Sequence, residues 1–332
     1  MQQLLQALSE LYGPSGCEDA VREFLRETVA GLAAEARVDA LGNLIVRAKA
    51  GTAGGKRVML AAHMDEIGIV VSHIDEEGFL RFNRVGGLYT MTLVSQRVRF
   101  ASGQIGVIGL EPIQSKNEAS LTKMYIDIGA GNREEAEKQV RVGDIACFER
   151  QLTMAASRVV GKAMDDRAGC AVLVEVLRAL QHSPHDVYVV FTSQEEVGLR
   201  GATTSAYGIE PKLAIAVDVT SSGDTPEAEP SAVALGKGPA IKVMDGGMLA
   251  HPGVKDLLIR TAEAHQIPYQ REVLKGGTTD ARAIQTSRSG VPTGAVSLPT
   301  RYVHTVSEMI DLEDLSNTVR LLVAMLEGSI EL

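Results

Sequence analysis

Several short apolar runs in this chain stop abruptly at residues capable of chemistry. Arg57 to Ala62 ends at His63, Val187 to Thr192 ends at Ser193-Gln194-Glu195-Glu196, and Leu213 to Val219 carries Asp218 near its end. Runs of this kind show no polar alternation, so they need cover on both faces, and strands buried on both faces belong to parallel sheets. Helical patterns separate them. Leu4, Leu5, Leu8 and Leu11 share one side of a helix, Val21, Phe24, Leu25, Val29 and Leu32 form a second apolar stripe, and a third helix is predicted over about Arg167 to Gln181. Ser15 and Glu18 read as a capping box ahead of the second stripe. Strands alternating with helices give the fold class α/β, with a mostly parallel sheet flanked by helices.

Between Gly68 and Val160 the texture changes to short alternating segments, among them Phe79 to Phe82, Arg97 to Phe100, Gln104 to Leu110, Met124 to Ile128 and Ile145 to Phe148. Gly, Asp and Asn punctuate them, which is the pattern of a small β-rich domain. The expected organisation is a discontinuous domain of residues 1–67 and 161–332 that carries an inserted β-rich domain of residues 68–160. Further helices are predicted over Lys255 to Gln266, Asp280 to Ser289 and Leu312 to Leu326, with a strand from about Thr293 to Leu298 before His304.

Composition excludes some functions. A net charge of -9 argues against a duplex nucleic-acid partner, whose affinity comes from Lys and Arg. With no Trp and 4% aromatic residues, stacking platforms for bases or sugars are scarce. No apolar run reaches the roughly 18 to 20 residues of a membrane span. The start, interrupted by Gln2, Gln3, Gln6 and Glu10, does not read as an export signal, and Cys17, Cys147 and Cys170 show no paired spacing. The cytoplasm is the expected location, without a membrane or nucleic-acid partner.

The segments around His63, Asp165, Glu196, Asp218 and His304 hold most of the interesting polar residues, and four of the five directly follow a predicted strand. Catalytic groups of open α/β sheets gather at the carboxyl ends of strands, so these residues are candidate neighbours in space. Two histidines with three carboxylates suit borderline ions, zinc first and cobalt second, better than calcium or magnesium, which prefer all-oxygen shells. A bland reading competes at each position. Adjacent carboxylates such as Glu195-Glu196 and Asp165-Asp166 are usually solvated pairs, and Arg167 or Arg301 could supply the donor that Asp218 needs at the end of its apolar strand. Gly276-Gly277 lacks the Lys-Ser/Thr ending of a nucleotide loop and reads as a turn near the site.

Five motifs carry a specific resemblance: Ala-His-Met-Asp-Glu-Ile-Gly from Ala62, Met-Asp-Asp-Arg from Met164, Gln-Glu-Glu-Val-Gly-Leu-Arg-Gly-Ala from Gln194, Gly-Gly-Thr-Thr-Asp-Ala from Gly276, and Arg-Tyr-Val-His-Thr from Arg301. Together they resemble the glutamyl aminopeptidase family of co-catalytic zinc peptidases, which includes the tetrahedral aminopeptidases. That resemblance implies a zinc-peptidase-like fold and two divalent metal ions per subunit, bridged by Asp165, with Glu196 and His304 completing one site and His63 and Asp218 the other. It implies Glu195 as general base and Asp65 as the carboxylate orienting His63. Asp166 would help set the backbone beside the bridging position.

The resemblance further implies cleavage of N-terminal residues from short peptides, and assembly through the inserted domain into dimers and a dodecamer. No single position settles the preferred first residue, and the reading leans to neutral or aliphatic side chains. A carboxypeptidase or N-acyl amino acid deacylase would use a similar metal pair. A glycoside hydrolase is the rival of another class, since paired carboxylates also cleave sugars.

Overall fold

A computed structural model describes residues 1–332, with side chains at every position but 116. Its main sheet has eleven strands. From one edge they run Ala33–Val38, Leu44–Ala48, Asp186–Thr192, Arg57–His63, Leu213–Ser221, Thr293–Arg301, Glu308–Asp311, Arg158–Gly161 and Thr153–Ala155, with Ala240–Met244 and Gln270–Val273 branching from Thr293–Arg301. The four central strands, Asp186–Thr192 to Thr293–Arg301, are parallel and pair Thr192 with His63 and Asp218 with Ser297. Toward both edges the strands turn antiparallel.

Side chains of a strand point alternately to its two faces, and this period separates two cores. Val58 and Leu60 of the strand before His63 pack with Leu173, Leu258 and Leu322 of the helices Met164–Ala179, Pro252–Ala264 and Leu312–Glu327. Met59 and Ala61 face the other way, onto Ala202 and Ala206 of helix Arg200–Ile209 and Ile284 of helix Asp280–Gln285. The α/β sandwich inferred from the apolar runs is therefore present, with its central strands parallel and buried on both faces.

The segment after Ile67 leaves this sandwich and closes into a barrel of six short strands, Gly68–Ile74, Leu80–Val85, Met124–Asp127, Ile105–Leu110, Arg97–Phe100 and Ile145–Phe148. The barrel has its own core, around Ile69, Leu80, Val98 and Ile126, into which Ile67 and Val306 also pack. The chain thus departs just after His63-Met64-Asp65-Glu66, and it re-enters the sheet through the hairpin of Thr153–Ala155 and Arg158–Gly161, just before Met164-Asp165.

Three expectations are corrected. Ser15 and Glu18 do not cap a helix: Asp19–Val29 begins with no side-chain cap bond, because both side chains are engaged elsewhere. The helix expected to reach Ser289 ends at Gln285, and the chain turns through Ser287 to Gly290 with Arg288 at a φ of 52°. Arg167 and Arg301 do not serve Asp218. Arg167 is fully buried and donates to the main-chain oxygens of Met64, Leu8 and Gly13 and to Glu66, while Arg301 makes a two-pronged pair with Asp224.

Candidate metal centre

The parallel strands bring their carboxyl ends to one rim, and the polar residues that follow them converge there. His63 is the last residue of its strand, Glu195 and Glu196 lie in the turn after Thr192, Asp218 is near the end of its strand, and His304 follows Arg301. Asp165 follows Arg158–Gly161, which is antiparallel to Glu308–Asp311 and so runs in the same direction as the central strands, and it stands at the start of Met164–Ala179. The peptide between Asp165 and Asp166 is cis, and neither residue has helical dihedral angles, so both precede the regular helix. A cavity of about 880 Å³ opens over this rim, lined by His63, Asp165, Glu195, Glu196, Asp218 and His304.

Asp165 lies between the two histidines. Its Oδ1 is 2.9 Å from Nε2 of His63 and its Oδ2 is 3.2 Å from Nε2 of His304. Beyond each histidine stands a second carboxylate: Asp218 Oδ1 is 3.8 Å from His63 Nε2, and Glu196 Oε2 is 3.6 Å from His304 Nε2. Glu195 Oε2 approaches His63 Nε2 to 4.0 Å. His63, Asp165 and Glu196 each offer a ligand atom within 4.8 Å of one another, as do His63, Asp166 and Asp218. Asp166 nevertheless has both carboxylate oxygens engaged, one accepting from the His63 N–H at 3.2 Å and the other from Gly169 N–H at 2.9 Å. Asp166 therefore braces the backbone of His63, whereas both oxygens of Asp165 face imidazoles.

A further set of contacts fixes these groups. Asp65, fully buried, accepts from the main-chain N–H of Glu195 at 2.9 Å and of Glu196 at 3.2 Å, and its main-chain oxygen lies 3.0 Å from Nδ1 of His63. With Nδ1 so engaged, Nε2 of His63 is left facing Asp165.

Glu308 was not singled out from sequence. Its carboxylate accepts from the N–H of His304 at 2.8 Å and from that of Asp165 at 3.1 Å, tying together two segments that carry facing groups. A signal existed in the acid set between Val306 and Ile310, where a buried carboxylate requires donors. Asp280 is a second such residue. It is buried, bonded to the Thr192 hydroxyl through Oδ2, and its Oδ1 has no partner. The barrel also contributes: a Cβ at Gly87 would stand 2.6 Å from Nδ1 of His304, and one at Gly86 would stand 3.1 Å from Oε2 of Glu196.

So many acids in one buried cluster disfavour their own ionisation. Burial, then the charge of Asp165, pushes Glu196 up to about 8 and Asp218 up to about 7. Burial also raises Glu195 well above the usual carboxylate range, against the pull of His63. Asp165 goes the other way: burial opposes its ionisation, but bonds to His304 and His63 hold it below that range. Burial likewise opposes protonation of His304, and Asp165 with Glu196 overcome it, raising the imidazole to about 10. Cations placed among these groups would relieve the mutual repulsion of the carboxylates, and the mixed nitrogen and oxygen donors suit a borderline divalent ion.

The comparisons with known proteins agree with one another. The family model described as M42 glutamyl aminopeptidase matches residues 42–321. A putative aminopeptidase of Acetivibrio thermocellus is 46% identical over 324 residues, covering 97% of each chain. Among solved structures, an aminopeptidase from the archaeon Desulfurococcus kamchatkensis superposes with a TM-score of 0.94 at 43% identity, over 99% of this chain and 94% of that one. The TET1 peptidase of Pyrococcus horikoshii, which can assemble into a tetrahedron or a large octahedral shell, gives a TM-score of 0.88 at 33% identity over 99% of each chain.

Proposed function

We propose, from the premise that this chain belongs to the M42 glutamyl aminopeptidase family, that it is a dinuclear metal-dependent aminopeptidase releasing N-terminal residues from short peptides. The observation that carries this reading is the single carboxylate of Asp165 set between two imidazoles, each with its own second carboxylate. His63 and Asp218 would hold one ion, Glu196 and His304 the other, and Asp165 both. Zinc is the first choice of metal and cobalt the second. Two such ions, when bound, polarise the scissile carbonyl and make water a better nucleophile near neutral pH.

The rest of the chemistry falls to the chain. Glu195, lining the cavity with its carboxylate close to His63, takes the proton of the attacking water and passes it to the leaving amine. Asp65 keeps the Glu195-Glu196 main chain and the His63 ring in register. Leu199, Val219, Leu274 and Val303 are apolar members of the cavity lining, which supports a neutral or aliphatic first side chain. Lys242 also lines it, but its ammonium lies 3.4 Å from Glu272 and 3.8 Å from Asp245.

Residues 1–67 with 161–332 would form the catalytic domain, and residues 68–160 the module through which subunits assemble. Exposed Tyr89, Met91 and Val94 beside the barrel support a homo-oligomer, and a dimer-based dodecamer is the assembly proposed. Among the described residues no helix is long and apolar enough to cross a membrane. The three cysteines are free thiols, which fits the cytoplasm as the place of action.

The test is hydrolysis of a panel of aminoacyl-p-nitroanilides and their N-acetylated counterparts by metal-stripped protein, restored with zinc or cobalt. Metal-dependent cleavage of the free-amine compounds alone is expected. Cleavage of the blocked compounds would shift the assignment to a deacylase, and inactivity on all of them would remove the peptidase reading.

A further inference from the structure

The segment from Pro14 to Glu18 is fastened directly beneath the candidate centre. Pro14 bridges Glu66 in a parallel pairing; the Ser15 N–H donates to the Glu66 carbonyl at 3.3 Å, and the Glu66 N–H donates to the Gly13 carbonyl at 3.1 Å. The Ser15 hydroxyl, buried, donates to Oδ2 of Asp65 at 2.5 Å. The Glu18 carboxylate, also buried, accepts through Oε1 from Gly16 N–H at 2.8 Å and from Gln194 N–H at 3.1 Å. Asp65 takes the next two N–H groups, those of Glu195 and Glu196.

Three successive main-chain donors of one turn are thus held by two buried carboxylates, one of which is itself aligned by Ser15. The turn needs such restraint, since Gln194 has a φ of 55°, in the left-handed region that a residue with a side chain rarely adopts.

We propose that Ser15 and Glu18 are positioning residues for the hydrolytic step, fixing the Gln194–Glu196 turn so that the Glu195 carboxylate stays aimed at the cavity. This rests on the reading of Glu195 as general base. Neither residue touches the substrate cavity, so their effect is exerted through Asp65 and the main chain of the turn. Glu18→Gln retains a carbonyl oxygen able to accept both N–H groups, whereas Glu18→Ala frees them; Ser15→Ala removes only the donor to Asp65.

The experiment is steady-state kinetics on an aliphatic aminoacyl-p-nitroanilide with the metal-loaded full chain and these three variants, alongside metal content and melting temperature. Glu18→Ala and Ser15→Ala are expected to lower kcat by about 10-fold to 100-fold with KM and metal content unchanged, as for other groups that orient a metal site from behind. Glu18→Gln is expected to recover most of that loss. Unchanged kcat in both alanine variants overturns the proposal. So does a loss that follows metal content or melting temperature, or a Gln variant no better than Ala. If Glu18→Ala does not fold, Ser15→Ala and Glu18→Gln still decide the matter. Glu195→Gln serves as the control: if it is inactive while the Ser15 and Glu18 variants keep full kcat, the aminopeptidase reading stands and the positioning role falls. If Glu195→Gln keeps full activity, the assignment of Glu195 as general base fails, and the positioning role that rests on it falls with it.

Discussion

The carboxylate of Asp65 accepts the main-chain N–H of Glu195 at 2.9 Å, so the residue two positions after His63 sets the backbone from which the proposed base projects. Asp65→Ala would release this donor, that of Glu196 and the Ser15 hydroxyl together. A fall of about 10-fold to 100-fold in metal affinity or turnover is expected, with Asp65→Asn intermediate because one acceptor oxygen remains. Metal titration followed by assay checks this. Wild-type values for the alanine variant would mean the turn is held by other contacts.

Gly87 tests how closely the barrel is built against the catalytic rim. A methyl group there would meet Nδ1 of His304 at 2.6 Å, and the Gly87 backbone is not in the left-handed region, so the substitution acts through the imidazole rather than through backbone strain. Gly87→Ala should leave the fold intact and reduce kcat/KM by about 10²-fold, the usual cost of a displacement near 1 Å at a reacting centre. An unaffected enzyme would show that His304 tolerates displacement.

Glu308 is predicted to matter for both stability and metal binding. Glu308→Ala orphans the buried N–H of Asp165 and the half-buried N–H of His304, at about 1–3 kcal/mol for the buried group. Denaturant unfolding of the metal-free variant reads the first effect and metal titration the second. A metal-free variant as stable as wild type would argue that water replaces the carboxylate.

Most of the sandwich was legible because apolar runs and helical stripes are local signals, and the rim residues were legible because they end those runs. Ser15, Glu18 and Glu308 were not, for a physical reason. Their partners lie 50, 176 and 143 positions away in sequence, at Asp65, Gln194 and Asp165, and a hydrogen bond to so remote a residue leaves no periodicity. The capping-box pattern of Ser15 and Glu18 was present in the residues, yet tertiary partners claimed both side chains. Strands Ala240–Met244 and Gln270–Val273 and helix Arg200–Ile209 were missed for a related reason: each is short, and half-buried segments such as Arg200–Ile209 carry too little apolar contrast to stand out.

Acid should weaken the anchoring of the loop beyond Ser221. Bonds from the Arg301 guanidinium, and then from Ser222, hold the Asp224 carboxyl below its ordinary range. A carboxyl depressed in the folded state adds stability that is present above its unfolded pKa, about 3.9, and is lost as pH falls through the folded value. Asp224→Asn should therefore be less stable than wild type at neutral pH, with the difference shrinking below about pH 4. Unfolding midpoints across that range check it, and a pH-independent deficit would assign the effect to packing.

The account turns on Glu195 as the proton carrier beside a bound metal pair, and the most direct measurement is turnover of metal-loaded Glu195→Gln with its metal content determined on the same sample. Full metal occupancy with turnover lowered by about 10²–10⁴-fold is the predicted result. Full occupancy with undiminished turnover would contradict it.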